Sequence, residues 1–75
     1  MKKIIYVQLL NEEAAAYRPV SAYLIERSIY KIDGSEYYNP EDEEWEFLPG
    51  MYVLVEEKKL DDENVLVAVK KQDFQ

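Results

Sequence analysis

The stretch from Asp33 to Glu57 reads DGSEYYNPEDEEWEFLPGMYVLVEE and decides how this chain of 75 residues is interpreted. It opens on a turn dipeptide, continues through a run of carboxylates and ends in a proline-glycine turn and an apolar strand. Asp33-Gly34 is typical of a two-residue β-hairpin turn, because a type I′ turn needs positive φ at both central residues. We expect its returning arm over Glu36 to Tyr38, ended by Asn39-Pro40.

The carboxylate run carries as much charge as the whole chain, whose formal net charge is -7. Its seven acidic residues, with no Lys or Arg between them, are Asp33, Glu36, Glu41, Asp42, Glu43, Glu44 and Glu46. The other acidic and basic residues balance. Binding nucleic-acid phosphates requires concentrated Lys and Arg, so this charge argues against direct nucleic-acid binding and indicates a basic partner.

The end of the stretch predicts a turn and the best strand of the chain. Leu48-Pro49-Gly50-Met51 matches a type II turn, in which proline fixes φ at the second position and glycine accepts positive φ at the third. Met51 to Glu57 alternates as a strand. Before the turn, Glu41 to Glu44 is long enough for one turn of helix.

Further strands are predicted on both sides. Ile4 to Leu10 is expected to be a strand with both faces mostly covered, and Ile29 to Ile32 a short strand. Asp61 to Asn64 is predicted as a hairpin connection that leads into a final strand, Val65 to Val69. The remainder, 70–75, is expected to be a frayed tail.

The segment from Tyr17 to Arg27 can be interpreted in two ways. As a helix, it places Pro19 in the first turn and apolar residues at helical spacing. As a strand, Val20, Ala22 and Leu24 alternate with polar or aromatic residues, with Pro19 near the strand start or on an edge. The strand is favoured, because an isolated helix of two turns gains little from propensity alone.

Together these segments predict an all-β fold in a single domain, 1–75. Five or six antiparallel strands curl into a small barrel or a strongly bent sheet, with one short helix or helical turn allowed. An α+β fold is the alternative if the segment from Tyr17 to Arg27 is helical. A chain this short is near the lower limit for an unaided core, so a partner or homodimer formation would help to stabilise it.

Composition excludes several kinds of site. The chain has no cysteine and no histidine, which removes thiol and imidazole chemistry and suits a reducing cytoplasm. The run from Glu41 to Glu46 lacks the alternate ligands and central glycine of a calcium loop. No metal, no cofactor and no enzyme activity are therefore expected. No apolar stretch approaches the roughly 20 residues that span a bilayer, so no membrane insertion is expected either.

The partner-binding hypothesis rests on acidic and aromatic side chains of the central stretch: Tyr37, Tyr38, Glu41, Asp42, Glu43, Glu44, Trp45 and Glu46. The plain interpretation of the acidic run is a solvated loop that keeps the protein soluble. Trp45 and Phe47 are two residues apart and share one face of a strand. Both are core anchors in the simpler interpretation, whereas Trp45 is a partly exposed hot spot in the other.

The order of features from Asp42 to Val69 resembles part of a Src-homology-3 domain. An acidic loop with Trp45 precedes a glycine turn, a strand, an acidic hairpin loop and another strand. This resemblance implies a small barrel. No tryptophan pair opens the strand at Val65, and no proline-asparagine-tyrosine segment follows it, so a proline-rich ligand groove is not implied.

The full pattern is similar to short uncharacterised bacterial proteins of β-rich character, which implies a bacterial cytoplasmic source. It includes the segments Leu9 to Glu12, Tyr17 to Val20 and Pro40 to Phe47. The leading expectation is a non-catalytic interaction module that presents an acidic, aromatic-bearing surface to a basic protein. The alternative is an inhibitor or immunity-type protein that mimics nucleic acid at the basic cleft of a nuclease.

Overall fold

The structure is a computed structural model and describes residues 1–10, 14–33 and 38–73. Its strands are β1 (Lys2–Gln8), β2 (Tyr17–Glu26), β3 (Ile29–Asp33), β4 (Tyr52–Leu60) and β5 (Glu63–Lys71). They hydrogen-bond in chain order and close into a barrel, and none of the described residues is helical. The all-β prediction is confirmed, and the α+β alternative is wrong for this part of the chain. A small barrel is also consistent with the resemblance to Src-homology-3 domains.

The barrel closes through one parallel pair, which corrects the expectation that all strands are antiparallel. Each strand from β2 to β5 runs antiparallel to the one before it. With five strands, the first and the last must then point the same way. β1 and β5 meet as parallel neighbours, with Tyr6 opposite Val67. The odd number of strands dictates this geometry.

β1 and β2 form the first antiparallel pair, and Ile5 lies opposite Val20. Both side chains are fully buried, as expected for the inner face of a strand whose side chains alternate. The outer face is more open than predicted, because Ile4 remains 54% exposed. Pro19 lies where β2 pairs with β1 but not with β3, a location that tolerates the missing N–H.

β2 and β3 are joined by a tight connection that the sequence did not signal. Only Arg27 and Ser28 separate the two strands, and Ser28 takes a positive φ of 62°. The pairing register shifts between Leu24 and Glu26, which places a bulge before the turn. The positive φ falls on a serine and not on the glycine or asparagine that usually marks such a turn.

The connection from β3 to β4 ends in the predicted type II turn. Gly50 has a φ of 91°, and the Met51 N–H donates to the Leu48 carbonyl at 3.1 Å. Gly34 of the predicted hairpin turn and most of the returning arm lie outside the described residues. Tyr38, the described end of that arm, is not in a strand, and β3 pairs with β2 and β4.

β4 and β5 form a hairpin that is longer than predicted. The two-residue connection is Asp61-Asp62, with φ of 49° and 67°, as in a type I′ turn. β4 continues to Leu60, because its outer half is paired with β5 through Glu63. β5 ends at Lys71, so the expected tail is wrong at its first two positions.

The core fills the inside of the barrel with one cluster of buried side chains. Its members are Ile5, Val7, Leu9, Val20, Ala22, Tyr30, Ile32, Trp45, Phe47, Val53, Val55 and Ala68. All five strands contribute, and the long β3–β4 connection adds the two bulky aromatic side chains that complete the cluster. None of the polar or charged residues in the described part of the chain is buried.

Candidate interaction surface

The acidic segment, which we define as residues 38–47, begins with a capped turn. The Asn39 carbonyl accepts the N–H groups of Asp42 and Glu43, each at 3.0 Å. The Asn39 side-chain oxygen accepts the Glu41 N–H at 3.0 Å, as a helix N-cap does, and Pro40 occupies the first position, where proline is favoured. The turn predicted for this run is present, but it does not extend into a helix.

The segment is then fixed to the end of β1 by backbone hydrogen bonds. Leu9 and Trp45 form an antiparallel bridge. On either side of it, the Leu10 N–H donates to the Glu44 carbonyl at 2.7 Å, and the Glu46 N–H donates to the Gln8 carbonyl at 2.8 Å. This short ladder holds the backbone of the carboxylates in one place.

Trp45 is a core residue, which makes the hot-spot interpretation wrong. Its side chain is only 2% exposed, and Phe47 is 8% exposed. Glu44 and Glu46 are exposed, so the two sides of the segment alternate as the spacing predicted. The half-buried Tyr38 packs on the indole, with ring centroids 4.7 Å apart at an angle of 60°.

The Glu43 carboxylate points inward and is bound by Arg18. Arg18 Nε donates to Glu43 Oε1 at 3.0 Å, and Arg18 Nη2 makes a very close ion pair with Oε2. The Trp45 indole N–H donates to the same Oε1 at 3.1 Å. These contacts hold the pKa of the Glu43 carboxyl below its usual value, with the Arg18 hydrogen bond as the main cause and the Trp45 bond as the second.

The carboxylates of this segment that are exposed at the surface are those of Glu41, Asp42, Glu44 and Glu46. Tyr37 was also predicted to bind a partner and lies outside the described residues. Sequence reasoning missed Arg18, since nothing in its neighbourhood predicts a partner 25 positions away. A signal was present at Asn39-Pro40-Glu41-Asp42, which has the residue types of a capped first turn.

The arrangement offers exposed carboxylates as binding groups. Within residues 1–10, 14–33 and 38–73, no three carboxylates gather closely enough to hold a metal ion. The same residues include no helix with the length and apolar character required to cross a bilayer. Comparisons with protein-family models, curated proteins and solved structures found no match.

Proposed function

We propose that this protein is a non-catalytic interaction module that presents an acidic surface to a basic protein partner. The observation that carries the proposal is that Glu44 and Glu46 project from a backbone anchored by the buried Trp45. A loop that serves only solubility needs no fixed geometry. A backbone that is already fixed loses less conformational entropy when a cationic partner binds its carboxylates.

The exposed carboxylates also gather charge of one sign on one side of the barrel. Glu41 and Asp42 lie in the capped turn, five and four positions before Glu46. Clustered charge of this kind steers an oppositely charged protein and raises its association rate. The lack of cysteine is consistent with a reducing, cytoplasmic setting for this interaction.

The test is capture of basic proteins by the wild type and by a variant with Glu41→Gln, Glu44→Gln and Glu46→Gln. Glu43 is left unchanged because it is paired with Arg18. The control variant carries Glu26→Gln, Glu56→Gln and Glu57→Gln, three exposed carboxylates elsewhere that change the net charge equally. We expect only the first variant to lose binding, mainly through a slower association rate.

Salt and DNA supply the remaining controls. The difference between the two variants should shrink above roughly 0.15 M salt, where the Debye length is about 8 Å. Equal binding by both variants at low salt would contradict the proposal. If DNA competes with this protein for the captured partner, the partner uses a phosphate-binding cleft, and the inhibitor function replaces the general interaction module.

A further inference from the structure

A groove of about 410 Å³ lies between the tip of the β4–β5 hairpin and the neighbouring ends of β1 and β2. Its walls include Tyr6, Tyr17, Leu60 and Val65. The volume is within the range of roughly 300–1,000 Å³ that is typical of binding pockets. The groove is on the outside of the barrel, because Tyr6 alternates along β1 with the buried Ile5 and Val7.

The two tyrosines supply aromatic surface and hydroxyl groups to the groove. Tyr6 and Tyr17 are each half-buried, so part of each side chain faces the groove. Neither hydroxyl forms a hydrogen bond within the part of the chain that the structure describes. A hydroxyl both donates and accepts hydrogen bonds, so each tyrosine offers a bound group a polar contact in addition to its ring.

Charges at the rim of the groove are predominantly negative. Asp61 and Glu63 line it, together with Lys59. The Lys59 ammonium lies 4.0 Å from the Asp62 carboxylate at the hairpin tip. The two carboxylates and one ammonium that line the groove sum to a net charge of -1. A cation entering the groove meets tyrosine rings and carboxylates together.

The groove and the acidic segment lie on the same face of the barrel. Leu9 and Trp45 are paired and both point inward. Their neighbours Gln8, Glu44 and Glu46 therefore point outward, as the tyrosine of β1 does. Gln8 also lies opposite Tyr17 in the pairing of β1 with β2. One outer surface thus runs from the acidic segment, past Gln8, to the groove.

We propose that the groove binds one arginine side chain of the basic partner. The exposed carboxylates of the acidic segment bind an adjacent part of the same partner. A guanidinium stacks on aromatic rings and donates to carboxylates and hydroxyls at once, which is the set of groups that this groove offers. The inference rests on the proposed function and adds to it the position and chemistry of one anchor. Lysine, a more strongly hydrated point charge, fits this set less well.

The test measures binding of a fluorescent octa-arginine peptide at low salt by anisotropy. Tyr17→Leu should weaken binding about three- to tenfold, as expected for one cation–π contact. Tyr23→Leu is the control, since Tyr23 is a 43% exposed tyrosine of the same strand that does not line the groove.

Glu63→Gln should weaken binding, and the exposed Glu57→Gln should not. Octa-lysine should bind the wild type more weakly than octa-arginine.

Amide chemical shifts of the wild type provide a readout that does not depend on any variant folding. Octa-arginine should shift the amides of Tyr6, Tyr17 and Val65 in addition to those of the acidic segment. If the shifts are confined to the acidic segment and Tyr17→Leu binds like the wild type, the groove does not bind arginine, and the proposed function still stands. If only groove amides shift and the triple glutamine variant binds fully, the arginine site in the groove is supported and the proposed function is contradicted.

Discussion

Trp45 joins the acidic segment to the barrel through two different contacts. Its rings are packed in the core, and its N–H reaches the Glu43 carboxylate at 3.1 Å. Arg18 holds the same carboxylate from β2, the strand on the other side of β1. The indole, the carboxylate and the guanidinium therefore connect β2 to the acidic segment at one end of the barrel.

Replacing Trp45 with alanine should lower the free energy of unfolding by about 3–5 kcal/mol, because a large side chain leaves a cavity in the core. Chemical denaturation monitored by circular dichroism measures this difference. Leu48→Ala is the control, because Leu48 is a 38% exposed apolar residue close to Trp45 in the sequence. If Trp45→Ala and Leu48→Ala unfold at the same denaturant midpoint, the tryptophan does not anchor the acidic segment to the core.

The Glu43 contacts make stability depend on pH in a defined direction. The pKa of this carboxyl is lower in the folded protein than its ordinary value of 4.5, with the Arg18 hydrogen bond as the main cause. A lowered pKa contributes stability above about pH 4.5, and this contribution is lost as the pH falls through the folded-state value. Glu43→Gln removes the charge and should lower the melting temperature at pH 7.

The difference in melting temperature between the wild type and Glu43→Gln should therefore narrow as the pH falls below the ordinary carboxyl pKa of 4.5. Thermal melts at pH values on both sides of 4.5 check the expectation. Glu41→Gln serves as the control, because the exposed Glu41 side chain makes no ion pair with a described residue. A constant difference for Glu43→Gln across the range would show that its carboxylate charge is not what stabilises the fold.

Among the elements, the loops show the limits of sequence reasoning more clearly than the strands do. Alternation identified β4 and β5, and the proline-glycine pair identified the turn before β4. The turn at Arg27-Ser28 carries no such signal, since its positive φ is imposed on Ser28 by the pairing of β2 with β3. Local sequence cannot report a conformation that tertiary contacts enforce.

The acidic segment was only partly predictable for a related reason. Spacing correctly placed Trp45 and Phe47 on one side and Glu44 and Glu46 on the other. Whether the aromatic side faces the core or a partner depends on Leu9, which forms the bridge to Trp45 from far away in the sequence. The pairing of the Glu43 carboxylate depends in the same way on the distant Arg18. Sequence alone therefore could not identify Glu43 as the carboxylate that Arg18 binds.

The type II turn makes a specific prediction about Gly50. A Cβ built at this position meets nothing within 4 Å, so the cost of a side chain comes from the φ of 91° alone. Gly50→Ala should destabilise the protein by about 1 kcal/mol. Gly50→Asn should cost less, since asparagine tolerates positive φ better than alanine. Equal stability of the wild type and the alanine variant in urea unfolding would contradict this assignment.

At the hairpin turn Asp61-Asp62, substitutions should stabilise the protein. Both residues have positive φ, for which Asn-Gly is the preferred pair. Asp61→Asn with Asp62→Gly should raise the free energy of unfolding by about 1 kcal/mol, because strain is relieved. Asp61→Asn with Asp62→Asn controls for the removal of both charges. An unchanged or lower midpoint in urea for the double variant would mean that the turn is not strained.

At the scale of the whole molecule, the barrel depends on a contact between its two most distant strands. β1 meets β5 as a parallel neighbour, and every other strand pair is adjacent in the chain. Pairing strands across a long separation carries a loop-closure cost, which slows folding. All-β domains of this type fold in roughly milliseconds to seconds.

The same parallel contact determines when a newly made chain can fold. On the ribosome, β1 emerges first, and its edge has no β5 to pair with until Lys71 has left the exit tunnel. The acidic segment emerges earlier and can pair with Gln8 and Leu10, so it covers part of that edge while synthesis continues. Stalled nascent chains should therefore become resistant to protease only after β5 has emerged. Resistance in chains stalled with only β1 to β4 outside the tunnel would show that the barrel folds before it closes.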